Sequence, residues 1–374
     1  MLDRPAGRTA HQRAAMLLES AIHGRHPMSE QHEHPATAQS VHPDWLLPWE
    51  PPRYRVDAHG KVIGASPRER NNWGRWGDLD QIGTLNLITD EARTYAAGLV
   101  RTGEMVSCSI PIDDHMPVHP VRPMVVHTHA LSGSDLVAGG LPERYWGGYP
   151  GADDYIFMPL QSATHWDGLT HCSFEDTFYN GFWVGTAGSN GGARMLSAHL
   201  LTDRVAGRGV LLDVARLRGV TRLRPGDAIT AAELDACAAA QGVELRSGDI
   251  LLVRTGEMGY FYGTPAEARP DFFDAGHPGL ALDTVDWLHT HDTAALGMDN
   301  RTIEVVPWPE TGTTAYPIHN RLIRDLGLTI GELWWLDHLA AACARHNRWE
   351  FFLVATPLPV RGSSGVPTSP VAFF

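Results

Sequence analysis

A mixed α/β fold is what this sequence predicts. Short runs rich in Val, Ile and Leu alternate with helical patterns, no repeat or linker interrupts residues 46–374, and 374 residues suffice to bury a sizeable core. Residues 1–45 stand apart. His, Pro, Gln and Ser dominate them and only Arg13 to Ile22 reads as helical, so a solvated extension is expected. From Trp45 onward Pro, Gly and Trp recur at short intervals (LLPWEPP, NNWGRWGDLDQIG), which implies packed irregular loops before a first long helix at Thr89 to Leu99. Strand-like runs follow at Met105 to Ile110, Met124 to His129, Tyr155 to Leu160, Gly209 to Val214, Ile250 to Thr255, Ala294 to Met298 and Phe351 to Pro357. Helical patterns lie between them at Ala193 to Leu201, Ala231 to Gln241, Asp283 to His289 and Glu332 to Arg345. Residues 46–374 are therefore expected to form a single catalytic domain.

Composition narrows the function. Thirty basic against 43 acidic side chains leave a formal net charge of −13, which disfavours nucleic acid and anionic membrane surfaces and favours a small-molecule substrate. Lys61 is the only lysine, and its setting (HGKVIGAS) lacks the spacing of a phosphate-cradling loop. Schiff-base chemistry would rest on that one exposed-reading residue. No GxGxxG, GxSxG or HExxH occurs. The four cysteines are far apart with no CxxC pair, so a reducing, cytoplasmic setting is expected, and no apolar run approaches the roughly 20 residues of a membrane span.

The most informative stretch is Gln161-Ser-Ala-Thr-His165-Trp-Asp167-Gly-Leu-Thr-His171. On an extended backbone Gln161, Ala163, His165 and Asp167 share one face, whereas on a helix His165 and Asp167 would diverge by about 200°. Gly168 permits a turn that swings His171 back over the same place. Two imidazoles and a carboxylate converging from one segment suit a divalent cation. The alternative is that these are polar groups at a strand end, each satisfied by backbone hydrogen bonds.

This run resembles the His-x-x-x-His-x-Asp-x-x-x-His hallmark of the cyclase family of metal-dependent hydrolases, which includes kynurenine formamidases and isatin hydrolase. His165, Asp167 and His171 match it, and Gln161 stands where the family has its first histidine. GRGVLLDVARL, RSGDILLVRTG, ALGMDN, the span from His319 to Glu332 and the ending VATPLPVRGSSGVPTSPVAF resemble the remaining family blocks in order. The resemblance implies a mixed-sheet core, barrel-like in part and flanked by helices, assembled as a homodimer or homotetramer. It implies metal ligation by His165, Asp167, His319 and Glu332, with Gln161 as a weak fifth donor and His171 as acid and base. An amide oxygen in place of an imidazole favours one ion, Mn²⁺ or Zn²⁺, over two.

A divalent cation there would bring the pKa of a bound water towards about 7, and His171 could carry the proton to a leaving nitrogen or oxygen. The expected activity is hydrolysis of an amide, cyclic amide, ester or lactone in a small, aromatic compound. A metal-assisted cyclase or lyase acting through an enolate is the second possibility, and a ligand-binding homologue that lost catalysis with Gln161 the third. Tyr179 and Trp183 are expected to bound the substrate because they follow the motif closely. His127 and His129 alternate on a strand without a carboxylate in phase, so substrate contact or packing is expected of them. His289 and His291 read as a helix C-terminus, Gly185 to Gly192 as a pocket wall, and Asp299 as a neighbour of the site at a strand C-terminus.

Overall fold

The computed structural model describes residues 55–119, 122–139, 152–269, 272–307 and 316–374. The extension expected over residues 1–45 lies outside the described residues, and Arg53–Phe374 form one compact unit. Its centre is a curled, nine-stranded half-barrel sheet. In chain order the strands are β1 (Met105–Ser107), β2 (His165–Asp167), β3 (Ala206–Asp213), β4 (Ile250–Arg254), β5 (Ala295–Met298), β6 (Thr329–Glu332), β7 (Glu350–Val354), β8 (Gly365–Pro367) and β9 (Val371–Phe373). Their order across the sheet is β1-β9-β7-β3-β4-β5-β6-β2-β8. β3 to β6 run parallel, and the flanking pairs are antiparallel.

The parallel centre is covered on both faces, which is why GRGVLLD and ILLV read as near-continuous apolar runs rather than alternating ones. Alternate residues divide between two cores. Val210, Leu212, Leu251, Val253, Leu296, Met298 and Ile330 join one, while Leu211, Ile250, Leu252 and Ala295 join the other with the buried pair Trp166 and Trp334.

Helices close both faces. α1 spans Asp90–Ala97, α2 Ala231–Gln241, α3 Glu257–Gly263, α4 Thr284–Thr290 and α5 Asp337–His346. α2 begins at a capping box in which the Thr230 hydroxyl accepts from the Glu233 N–H and the Glu233 carboxylate accepts from the Thr230 N–H, and it ends at Gly242 with φ 63°. Its Leu234, Cys237 and Ala238 pack with Val285, Trp287 and Leu288 of α4 in the first core, and Leu339, Ala342 and Cys343 of α5 pack in the second.

Three stretches differ from expectation. Ala193 to Leu201 is not a helix: Gly192–Ala193 pairs with Ala187–Gly188, and only Ala198–Leu201 turns as a short 3₁₀ segment. Glu332 to Arg345 splits, because TIGE is drawn into β6 by parallel pairing with β5 and the helix starts only at Asp337. β8 and β9, in the Gly- and Pro-rich C-terminal stretch, pair with distant strands that sequence periodicity does not reveal. The strands at Val126–Leu131 and Asp153–Phe157 exist, but among the described residues they pair with each other as a two-stranded ribbon apart from the main sheet. Among the described residues no helix is long and apolar enough to cross a membrane.

Candidate functional site

β2 is short, second from one edge of the sheet and buried on both faces. Its alternation sends Trp166 into the core, where the indole N–H donates to the Ala355 carbonyl at 2.7 Å, and sends His165 and Asp167 to the opposite side. Antiparallel pairing with β6 sets Glu332 directly across from His165, so three candidate ligands meet on two adjacent strands. Gly168 is needed for close approach rather than for its turn geometry: a Cβ there would lie 2.8 Å from Ala198 Cβ. The His171 N–H then donates to the Gly168 carbonyl at 3.0 Å, which brings the imidazole back over Asp167.

The donor atoms converge. His165 Nε2 lies 3.5 Å from Asp167 Oδ1 and 3.6 Å from Glu332 Oε2, and His171 Nδ1 lies 3.5 Å from Asp167 Oδ1. His319 enters from the short helix Pro317–His319, its Nε2 3.0 Å from Glu332 Oε1. Two overlapping groups, His165–Asp167–Glu332 and Asp167–His171–His319, each hold their ligand atoms within 4.8 Å of one another.

The hydrogen bonds of the two buried imidazoles aim their free nitrogens at the cluster. The His165 Nδ1–H donates to the Ala163 carbonyl at 2.6 Å, and a carbonyl only accepts, so Nε2 is the nitrogen left to face the cluster. His319 Nδ1 is held by the Glu304 carboxylate, the outer-shell arrangement that orients a ligating imidazole. Burial opposes charge on both histidines. Asp167 and Glu332 outweigh it at His165, Glu304 and Glu332 outweigh it at His319, and both rings end with raised pKa values. Burial likewise opposes charge on Asp167, but His171 and His165 hold its carboxyl well below the usual range.

Whether these are satisfied strand-end polar groups or ligands is decided by the orphans. His165 Nε2 and both carboxylate oxygens of Asp167 are buried without a hydrogen-bond partner among the described residues. A divalent ion fits such a donor set, and the residues present match one.

The remaining expected site residues are dispersed. Gln161 stays beside the cluster: its amide Nε2 donates to Ser364 Oγ at 3.3 Å, and a Cβ on Gly365 would meet Gln161 Nε2 at 2.7 Å and Asp167 Oδ1 at 3.1 Å. Tyr179 is core, not substrate wall. It is fully buried, its hydroxyl 3.2 Å from Asp80 Oδ2 and its ring filling the space that Gly327 leaves open. Trp183 is also displaced from the cavity, its ring lying over Gly185. His127 and His129 sit exposed on the ribbon, His127 Nε2 2.6 Å from Asp154 Oδ2, and neither lines the cavity. His291 does cap α4, Nδ1 donating to the Trp287 carbonyl at 2.9 Å. Gly185 to Gly192 does not line this cavity, and Asp299 accepts from Thr255 and Gly256 instead of joining the cluster.

Sequence reasoning missed the residues that shape the cavity. It has a volume of about 200 Å³, and Cys172, Arg122, Arg301 and Tyr316 line it together with His171 and His319. Glu304 was missed as well. Arg301 and Glu304 follow the end of β5, just beyond Asp299. Burial pushes the Cys172 thiol up to about 12.

The sequence profile of the family described as "Putative cyclase" matches residues 106–305. A solved structure described as a novel cyclase is 41% identical, with a TM-score of 0.77, over 82% of this chain and 100% of that one. This chain belongs to the cyclase family. More distant solved structures share the fold: an isatin hydrolase bound to the product analogue thioisatinate has 19% identity and a TM-score of 0.51 over 74% of this chain and 93% of its own. Isatin hydrolase A from Labrenzia aggregata, bound to benzyl benzoate, has 16% identity and a TM-score of 0.52 over 74% of this cyclase-family chain and 94% of its own. Among curated proteins, nothing matches the chain significantly.

Proposed function

We propose that this cyclase-family protein is a metal-dependent hydrolase that cleaves an amide, cyclic amide or ester bond of a small compound. The observation that carries the reading is the set of orphaned, buried donors on His165 and Asp167, closed by Glu332 and bordered by His171 at the cavity. His165, Asp167, Glu332 and His319 would hold one divalent ion, Mn²⁺ or Zn²⁺, with Gln161 at its edge. Such an ion supplies Lewis acidity and water activation at neutral pH.

The chain's own groups then divide the work. Half-buried His171 borders the cavity, so it can take a proton from water and return it to the departing nitrogen or oxygen. Asp167 Oδ1, 3.5 Å from His171 Nδ1, stabilises the imidazolium while it holds that proton. Glu304 holds His319 in place through Nδ1. The small, partly apolar cavity limits water around the bond that breaks.

The test is turnover of formanilides, lactams and lactones in ¹⁸O water. A hydrolase incorporates one solvent oxygen per product, and a cyclase or lyase incorporates none. His171→Ala should lower turnover by about 10²–10⁴-fold while metal content is kept; unchanged turnover would remove His171 from the mechanism. Assembly belongs to the same proposal. Val126, Tyr155, Ile156 and Phe157 on the ribbon are each more than half exposed, an apolar surface suited to a second copy of this chain.

A further inference from the structure

The cavity carries two opposite electrostatic characters. At the metal cluster the acids Asp167, Glu332 and Glu304 gather around imidazoles. Elsewhere its lining includes two guanidinium groups, Arg122 and Arg301.

Among the described residues both arginines are anchored by backbone carbonyls rather than by carboxylates. One Arg301 N–H donates to the Phe272 carbonyl at 2.9 Å, and the guanidinium lies 4.7 Å from the Phe272 ring centre and 5.0 Å from that of Phe273. Its Nε is buried without a hydrogen-bond partner among the described residues. Arg122 donates to the Gln161 carbonyl, which ties it to the run that bears the candidate ligands. Glu257, the acid whose field most favours the charge on Arg301, is already engaged by Arg222 at 2.5 Å. Among the described residues neither Arg122 nor Arg301 forms an ion pair.

A guanidinium keeps its proton in any protein setting, so withdrawing it from water without a counter-charge costs stability. Both border the same cavity of about 200 Å³, so an anion that enters it meets two positive charges. The rigid fork of each matches the two oxygens of a planar carboxylate. A cavity this small must also hold the bond to be cleaved, so the anion is compact and belongs to the substrate itself.

We infer that Arg122 and Arg301 form an anion subsite, and that the substrate carries a carboxylate beside the bond that is broken. The inference depends on the hydrolase reading only for the position of that bond. Calorimetric titration of Mn²⁺-loaded protein with benzoate and with its neutral counterpart benzamide tests it. Benzoate should bind about tenfold or more tightly, and Arg301→Gln and Arg122→Gln should each erase most of that preference. Equal binding of the two probes by the unaltered protein overturns the inference. So does a benzoate preference that survives in both variants, because the carboxylate would then be bound by the metal alone. Arg301 also braces the backbone at Phe272, so melting curves accompany the titrations; if Arg301→Gln does not fold, Arg122→Gln decides. A protein that prefers benzoate through its arginines yet hydrolyses no amide, lactam or lactone keeps the subsite and loses the hydrolase reading.

Discussion

Occupying the cluster with a divalent cation should stabilise the fold by an amount that can be worked out beforehand. Without an ion, His165 Nε2 and both Asp167 oxygens are buried with no hydrogen-bond partner among the described residues, and a buried group left so costs about 1–3 kcal/mol. A ligand at about 100 times its Kd, binding only the folded state, adds about 2.7 kcal/mol. The compact unit Arg53–Phe374 should melt with an entropy of about 2.1 cal/mol/K per residue, about 0.7 kcal/mol/K over its roughly 320 residues. The midpoint should therefore rise by about 4 °C. Scanning calorimetry of chelator-treated protein, with Mn²⁺ or Zn²⁺ added in steps, measures the shift, and Asp167→Asn serves as the control. The reasoning fails if neither ion moves the midpoint, or if Asp167→Asn shows the full shift.

Gly331→Ala should lower unfolding stability by about 1–3 kcal/mol, because the added Cβ would lie 2.5 Å from Trp334 Nε1 and 2.8 Å from Trp166 Cε3 in a pair already packed edge-on at 4.8 Å. An unchanged denaturant midpoint would show that the strands give way without cost. Gln161→His places an imidazole beside Asp167 and should raise bound metal above one ion per chain; elemental analysis that finds no increase removes Gln161 as the cause of single-ion binding. Phe157→Asp on the ribbon should reduce the mass measured by light scattering to that of a single chain, and a wild-type protein that is already monomeric ends the assembly proposal.

The central strands were legible because burial on both faces writes itself as unbroken Val, Ile and Leu runs, as in β3 and β4. α2 was legible to the residue, since Thr230, Glu233 and Gly242 carry its start and stop in their own chemistry. β6 was not. Four residues of TIGE have no local signal strong enough to outweigh the helical pattern that follows, and their strand state comes from pairing with β5 and β2.

The same division runs through the site. By itself the sequence determined that His165 and Asp167 project together from an extended segment, because strand alternation is a property of the backbone, and that Trp166 faces the other way. Only the tertiary structure decided what meets them. Glu332 reaches His165 through strand register, His319 is fixed through Glu304, and Arg122 and Arg301 border the cavity, while Tyr179 and Trp183, though near in sequence, turn into other parts of the fold. Nearness along the chain sets which face a residue takes for a few positions; beyond that, packing of distant segments sets which side chains share a cavity.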